Sequence, residues 1–273
     1  MTTDLNNEPT QMISQQPEYL DRFGGTGRLY GTGGLQALAG ATVAVIGIGG
    51  VGSWVAEALA RTGIGHLVLV DLDDICVTNT NRQIHALGSE IGKMKVASMA
   101  TRIKAINPLC EVTAVEDFLT PENVTTMVSA QWDFVVDAID SVKPKAALIN
   151  YCVRHKIPII TTGGAGGQID PLKIQITDLS RTLQDPLAKK VRQILRKDYG
   201  FSRDPKKKFG VPCVFSMEAL KYPQPDGSVC AVRSPSDSST RLDCSGGFGA
   251  ATMVTGTFGF VAAAHVVNKL TEK

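Results

Sequence analysis

The chain has 273 residues, 43% of them hydrophobic and 20% charged, which suits one large α/β domain with a full core and no need for disulfide staples. Its six cysteines form no C-x-x-C pair, so the usual zinc-site spacing is absent and reduced, cytoplasmic thiols are the simplest expectation. The net charge of +2 hides an asymmetry: the segment Arg181–Lys208 holds ten Lys or Arg against three Asp and carries +7, leaving −5 for the rest. Such a cluster suits a polyanionic partner, or alternatively a solvated helix face and basic loop.

In chain order, residues 1–20 are polar and read as a flexible N-terminal segment, with a single domain over 21–273. Thr42–Ile48 is a β-branched run that reads as a buried strand, followed by helical spacing over Gly50–Thr62. His66–Asp71 is a second strand, Lys93–Ile106 a helix, Glu111–Val115 a third strand and Asp133–Ile139 a fourth. A helix over Pro144–His155 and a strand over Ile157–Thr161 continue the alternation, which predicts right-handed βαβ units. The expected fold is therefore α/β, a Rossmann-like, doubly wound and mostly parallel sheet.

Beyond Thr162 the pattern loosens. Gly163–Gly167 reads as a loop, Lys173–Asp178 as one more strand and Asp185–Asp198 as a basic helix. Residues 199–245 carry Pro, Ser and Gly signals and read as a long insertion or flexible loop, so that about 180–245 forms a substrate-binding insertion. Ser245–Asn268 has no Asp, Glu, Lys or Arg. Its length permits a membrane span, but its glycines and small side chains favour a buried C-terminal apolar helix.

The chemistry begins at Gly47, Gly49, Gly50 and Gly52. This G-x-G-x-x-G lies between a strand and a helix, where glycines let the backbone approach phosphates and the helix N-terminus favours their charge. Asp71 closes the next strand, where a carboxylate can hold a ribose hydroxyl. Alone, the motif points to NAD or FAD. Asp73, Asn81, Arg82 and Lys95 add a second polar layer that suits a triphosphate better than a dinucleotide. Asp140, after the fourth strand, is placed to hold Mg²⁺ between phosphates. His85 is read as a structural histidine, with a proton carrier as its alternative. Cys244, beside Ser245-Gly246-Gly247, is the best cysteine for covalent chemistry, against a plain structural role.

These motifs carry a resemblance. GIGGVGSWVAEALARTGIG, the D-x-D-x(5)-N-x-N-R-Q run from Asp71 to Gln83, the G-x-x-K ending at Lys95 and DAIDS at Asp137–Ser141 are similar to the E1-like superfamily. That superfamily includes ubiquitin-activating enzymes and the adenylyltransferases of molybdopterin and thiamine biosynthesis. TNTNRQIHAL, TTGGAGGQIDP, CVFS and DCSGGFGAATMVT resemble, more closely, the tRNA threonylcarbamoyladenosine dehydratases. The resemblance implies ATP and Mg²⁺ as cofactors, with a monovalent cation as a further candidate. It assigns Asp71 to ribose, Asn81, Arg82 and Lys95 to phosphates, and Asp140 to the metal. The implied reaction activates the threonine carboxylate of N6-threonylcarbamoyladenosine at position 37 of tRNA and closes a ring with loss of water. A homodimer is implied, with a cysteine desulfurase and its sulfur acceptor protein as further partners. Many relatives place an arginine finger in R-F-S-R; here Gly25 occupies that position and Arg28 is the nearest substitute. For the tRNA, the candidates are Lys189, Lys190, Arg192, Arg196, Lys206, Lys207 and Lys208. Two other E1-like readings stand beside this one: activation of a ubiquitin-like sulfur-carrier protein, and a non-catalytic nucleotide-binding scaffold in a sulfur-transfer complex.

Overall fold

In a computed structural model, residues 13–224, 226–231 and 248–272 are described. Seven strands form one sheet: β1 (Thr42–Ile46), β2 (His66–Val70), β3 (Glu111–Val115), β4 (Phe134–Asp137), β5 (Ile159–Thr162), β6 (Ile174–Asp178) and β7 (Pro212–Ser216). Their order is β3-β2-β1-β4-β5-β7-β6, parallel throughout except for the β6–β7 pair. The chain winds outward one way from β1 and the other way from β4. The crevice between the carboxyl ends of these two strands is thus the topological switch point, where sheets of this kind take their ligands.

Helices cover both faces. On one lie α1 (Pro17–Gly40), α2 (Gly52–Thr62), α3 (Lys95–Ile106) and α7 (Thr252–Thr271); on the other lie α4 (Val124–Met127), α5 (Val142–His155) and α6 (Pro186–Asp198). Two apolar layers result, because β1, β2 and β4 send alternate side chains to opposite faces: Val43 and Val45 to one, Ala44 and Ile46 to the other. A short ribbon of β8 (Tyr222–Pro223) and β9 (Val229–Cys230) stands apart from the sheet.

Two expectations need correction. First, the segment expected to be flexible is packed by its end. Helix α1 starts at Pro17, and Tyr19 is fully buried, with its hydroxyl donating to Gly63 O at 2.5 Å. Period-3.6 apolar spacing over Tyr19, Phe23, Leu35 and Leu38 is masked by six intervening glycines and a kink at Gly31 (φ 76°). Second, 199–245 is not one loop. Pro212–Ser216 forms β7, inserted between β5 and β6, with Cys213, Val214 and Phe215 buried. A run of five residues opened by proline is too short to stand out against its Gly- and Pro-rich flanks. The C-terminal run is the buried helix expected from its glycines and small side chains, and among the described residues no helix is long and apolar enough to cross a membrane. Helix α7 instead presses small residues on α2: a Cβ at Gly259 would stand 2.7 Å from Trp54 Cβ and 2.9 Å from Val51 O.

Helices α2 and α3 are joined by a buried carboxylate. Glu57 accepts from Arg61 Nε at 2.7 Å and from Arg102 Nε and Nη2 at 2.7 and 3.0 Å.

If α1 is part of the folded unit, Tyr19→Phe strands the buried Gly63 carbonyl and should cost about 1–3 kcal/mol. Urea unfolding of the two proteins measures this; equal midpoints would mean that α1 docks without that bond.

Candidate nucleotide site

The crevice floor is glycine because backbone passes against backbone. Gly47 sits at φ 91°, and a Cβ there would meet Ala138 O at 2.9 Å. At Gly52 a Cβ would fall 1.8 Å from Gly47 O, so the loop could not turn into α2 with any larger residue. Gly49 has nothing within 4 Å of its would-be Cβ, leaving its backbone open to a ligand, while Gly50 packs on the Arg82 stem at 3.2 Å. Each glycine of the motif thus has its own reason.

Asp71 is buried and holds this loop from beneath. Its Oδ2 accepts from Ile48 N at 2.7 Å and its Oδ1 from Asp73 N at 2.9 Å. Burial raises its pKa, against the pull of Lys95 and of those two backbone N–H groups. Lys95 opens α3 and is buried; its Nζ lies 2.5 Å from Asp73 Oδ2 and 3.9 Å from Asp71 Oδ1. The spacing works because 71–76 runs beside 92–95, with Lys95 N donating to Asp73 O at 3.1 Å and Ile75 N to Lys93 O at 2.9 Å. Residues 22–24 apart in sequence therefore form one cluster.

Arg82 reaches the loop from a different direction. Trp54 Nε1 donates to its carbonyl at 2.9 Å, and its own Nη1 donates to Thr78 O at 2.8 Å and Asn81 Oδ1 at 3.1 Å. Asn81 is pinned to the start of α7: its Nδ2 donates to Ala250 O at 2.9 Å, and Thr252 Oγ1 donates to its carbonyl at 2.6 Å. The C-terminal helix, the phosphate loop and the N-x-N-R segment are one construction.

Asp140 is exposed, three residues beyond the end of β4 at the mouth of the crevice. Among the described residues no three His, Cys, Asp or Glu gather to hold a metal. Asp140 offers a single carboxylate, an oxygen donor of the type a hard divalent ion prefers, and no closed protein cage. Arg28 is exposed and lies over Gly24 and Gly25 of its own helix, whose Cβ positions would be 3.7 and 3.8 Å from its guanidinium nitrogens.

The residues the sequence reading passed over lie under the floor. Asp137, the last residue of β4, and Lys145 in α5 are both fully buried and paired at 3.0 Å. Thr161 Oγ1 donates to Asp137 Oδ2 at 2.6 Å, and Lys145 Nζ donates to Ile139 O at 2.8 Å. Burial pushes the Asp137 carboxyl's pKa up, and Lys145 and Thr161 draw it back. Asp137 had a signal, an acid closing an unbroken apolar run; Lys145, in an ordinary-looking helix, had none. A second buried acid, Asp185, caps α6 through Ala188 N at 2.9 Å and holds the Gly163–Gly164 loop through Gly164 N at 3.0 Å.

The basic segment divides. Lys189, Lys190, Lys206, Lys207 and Lys208 are exposed. Arg192 is half-buried and donates to Leu179 O at 3.4 Å and to Thr182 Oγ1, while Arg196 donates to Ser202 O at 3.2 Å and lies 5.4 Å from the Phe209 ring centroid. Both arginines, expected to face a polyanion, are engaged in holding α6 to its neighbours. Cys244 lies outside the described residues.

His85 is 2% exposed, and neither ring nitrogen has a hydrogen-bond partner among the described residues. Burial first, then Lys95 and Arg102, push its pKa down to about 4. The folded protein therefore keeps it neutral, while the unfolded chain takes up a proton near pH 6.5. Its contribution is constant above that pH and is lost as pH falls towards 4. His85→Asn should flatten the stability–pH slope in this window by roughly 1.4 kcal/mol per unit; parallel slopes in chemical denaturation would exclude a buried neutral imidazole.

Residues 26–273 match the model of the ThiF family. The tRNA threonylcarbamoyladenosine dehydratase of Escherichia coli (strain K12) is 61% identical over 252 residues, covering 92% of this chain and 94% of that protein. The Haemophilus influenzae protein of the same name is 54% identical over 262 residues, covering 96% and 98%. A crystal structure of the E. coli dehydratase in complex with ATP superposes with a TM-score of 0.84 at 56% identity, covering 94% of this chain and 96% of that one. A second, in complex with AMP, gives the same TM-score of 0.84 and covers 94% and 97%. The seven-stranded sheet, the glycine loop and the similarity over nearly the whole length agree, and the chain belongs to the ThiF family.

Proposed function

We propose that this protein is an ATP-dependent tRNA threonylcarbamoyladenosine dehydratase that closes N6-threonylcarbamoyladenosine to its cyclic form. The observation that carries the reading is whole-length similarity to dehydratases, 61% identity over 92% of this chain, which includes the basic insertion as well as the nucleotide loop.

A carboxylate becomes an electrophile only when its oxygen is converted into a leaving group. In this reading the threonine carboxylate of the modified adenosine attacks the α-phosphate of ATP, and pyrophosphate leaves. A nucleophile within the same modified nucleoside then attacks the acyl carbon, AMP departs and a proton is lost, so the net change in the nucleoside is one water. The protein's part is placement and charge. The Gly49–Gly50 backbone and the N-terminus of α2 accept the phosphates, and Asp71 holds the ribose. Lys95 trades its Asp73 partner for phosphate oxygens, and Arg82 covers the tail. Asp140 would hold Mg²⁺, which would supply charge neutralisation for the leaving pyrophosphate. The exposed lysines of α6 and the 206–208 loop bind the RNA backbone without reading sequence.

Activation of a sulfur-carrier protein would use the same crevice on a protein C-terminus. The basic α6 segment favours RNA, and the test separates the two. With ATP and Mg²⁺, threonylcarbamoyladenosine in tRNA should become lighter by one water in nucleoside mass spectrometry. Unchanged nucleoside together with adenylation of a small carrier protein would overturn the proposal. Asp140→Ala should lower turnover about a hundredfold or more with the fold intact, since the side chain is exposed. Lys95→Met should weaken ATP use and also stability, because it leaves Asp71 and Asp73 without their cation; normal ATP kinetics in a folded Lys95→Met would remove Lys95 from the phosphate site.

A further inference from the structure

A concavity of about 340 Å³ lies far from the nucleotide crevice, at the amino-terminal edge of the sheet. Helix α5 starts beside the crevice, just after β4, and ends beside this cleft, just before β5. Its fourteen residues separate the two places by roughly 20 Å at 1.5 Å per residue. Arg154, Tyr199, Phe201, Ser202, Lys208 and Phe209 line the cleft.

The cleft is built by the end of α6. Tyr199 N and Phe201 N both donate to Leu195 O, at 3.3 and 3.1 Å, and Gly200 (φ 72°) makes the reversal. Arg154 Nη2 donates to Tyr199 O at 3.0 Å. Phe201 meets Phe209 edge to face at 5.0 Å, and Arg196 lies over Phe209 at 5.4 Å while bonded to Ser202 O. Tyr199 and Phe201 stay half-buried, and Arg154 and Lys208 are exposed. Among the described residues no acidic side chain lines the cleft, and Asp204 in the adjoining loop is turned to the Lys206 backbone N–H at 2.9 Å.

Partly open aromatic rings, flanked by a guanidinium and an ammonium, in a volume near that of one nucleotide, match the chemistry that holds an unstacked base by its face and its phosphate by charge. The exposed Lys189, Lys190 and Lys197 of α6 connect this place with the Gly163–Gly164 loop at the helix's other end. We infer that the Tyr199–Phe209 cleft is a second RNA subsite, which takes one unpaired nucleotide of the tRNA other than the one modified. The base stacks on Tyr199 and Phe201, and Arg154 and Lys208 meet its phosphate. The inference rests on the tRNA reading above and adds an anchor about 20 Å from the reacting nucleotide, within the span of a stem-loop.

Ultraviolet cross-linking of bound tRNA to the wild-type protein, followed by peptide mass spectrometry, should give nucleotide adducts on Tyr199 or Phe201. A Tyr199→Leu/Phe201→Leu variant should raise the tRNA Kd and KM about fivefold or more, the effect of one lost base stack. Its KM for ATP and its kcat at saturating tRNA should stay near wild type. Lys208→Ala, at an exposed position, should weaken tRNA binding and lower its salt dependence whether or not the double variant folds. Adducts confined to other segments, or unchanged tRNA affinity in folded Tyr199→Leu/Phe201→Leu or in Lys208→Ala, would overturn the subsite. A wild-type protein that binds no tRNA would overturn the substrate reading instead.

Discussion

An ion pair sunk out of water sets the shape of the crevice. Asp137 and Lys145 are 0% and 1% exposed in their side chains, 3.0 Å apart, with Thr161 completing the carboxylate. Such pairs contribute little net stability, because desolvation offsets most of the attraction, but losing one partner leaves a bare buried charge. Their value here is geometric. Lys145 also binds Ile139 O, and Asp137 Oδ1 accepts from Ile139 N at 3.1 Å. The turn after β4 is thereby fixed on both its donor and its acceptor sides. That turn presents Ala138 O to Gly47 and carries Asp140 to the crevice mouth. The glycine loop can press so closely on β4 because the opposing backbone is not free to move.

Much of this was legible in the sequence, for reasons that differ by element. The βαβ half over 42–162 shows because buried parallel strands are short unbroken apolar runs and the helices between them keep a 3.6 period. The alternation over Glu111–Val115 marks β3 to its observed limits. The candidate nucleotide residues stand out in the sequence because the chemistry proposed for them demands rare types at fixed places: glycines where backbone meets backbone, an acid at the end of β2, a lysine at the start of α3. Lys145 was not legible, since nothing local separates a buried lysine from a solvated one. Helix α1 was hidden by its glycines, and β7 by its brevity. Both are held by distant partners, Tyr19 by Gly63 and Val214 by Thr162 and Ile176, and such partners carry no mark in the local sequence.

The insertion is better understood as an extension of the sheet than as an appendage. Strand β7 lies between β5 and β6, so the segment carrying the positive charge is stitched into the same sheet that carries the glycine loop. Asp178, at the end of β6, receives N–H bonds from Phe209, Gly210 and Val211 at 2.9, 2.8 and 3.2 Å. The 206–208 lysines therefore leave from a braced root. Arg192 and Arg196, turned inward, serve the same end, which is why counting basic residues overstates the charge available to a partner.

Placing acid and base apart solves a problem that an RNA-directed carboxylate activator must face. Its crevice has to neutralise a triphosphate, yet a crevice that was merely positive would be occupied by any RNA backbone. Here the cations nearest the loop are already matched: Lys95 by Asp73 and Asp71, Arg82 by a carbonyl and an amide oxygen, Lys145 by Asp137. Exposed positive charge lies instead on lysines of α6 and of the loop before β7. A phosphate backbone is drawn first to the charge that costs least to desolvate, which is the exposed set. In the proposed function a nucleotide triphosphate, with its charge in a small volume and glycine backbone and a helix N-terminus to receive it, would displace Asp73 from Lys95. In the proposed function the same sheet would then hold two polyanions at once, because the ion pairs in its crevice would admit the compact one and leave the extended one on the outer helix.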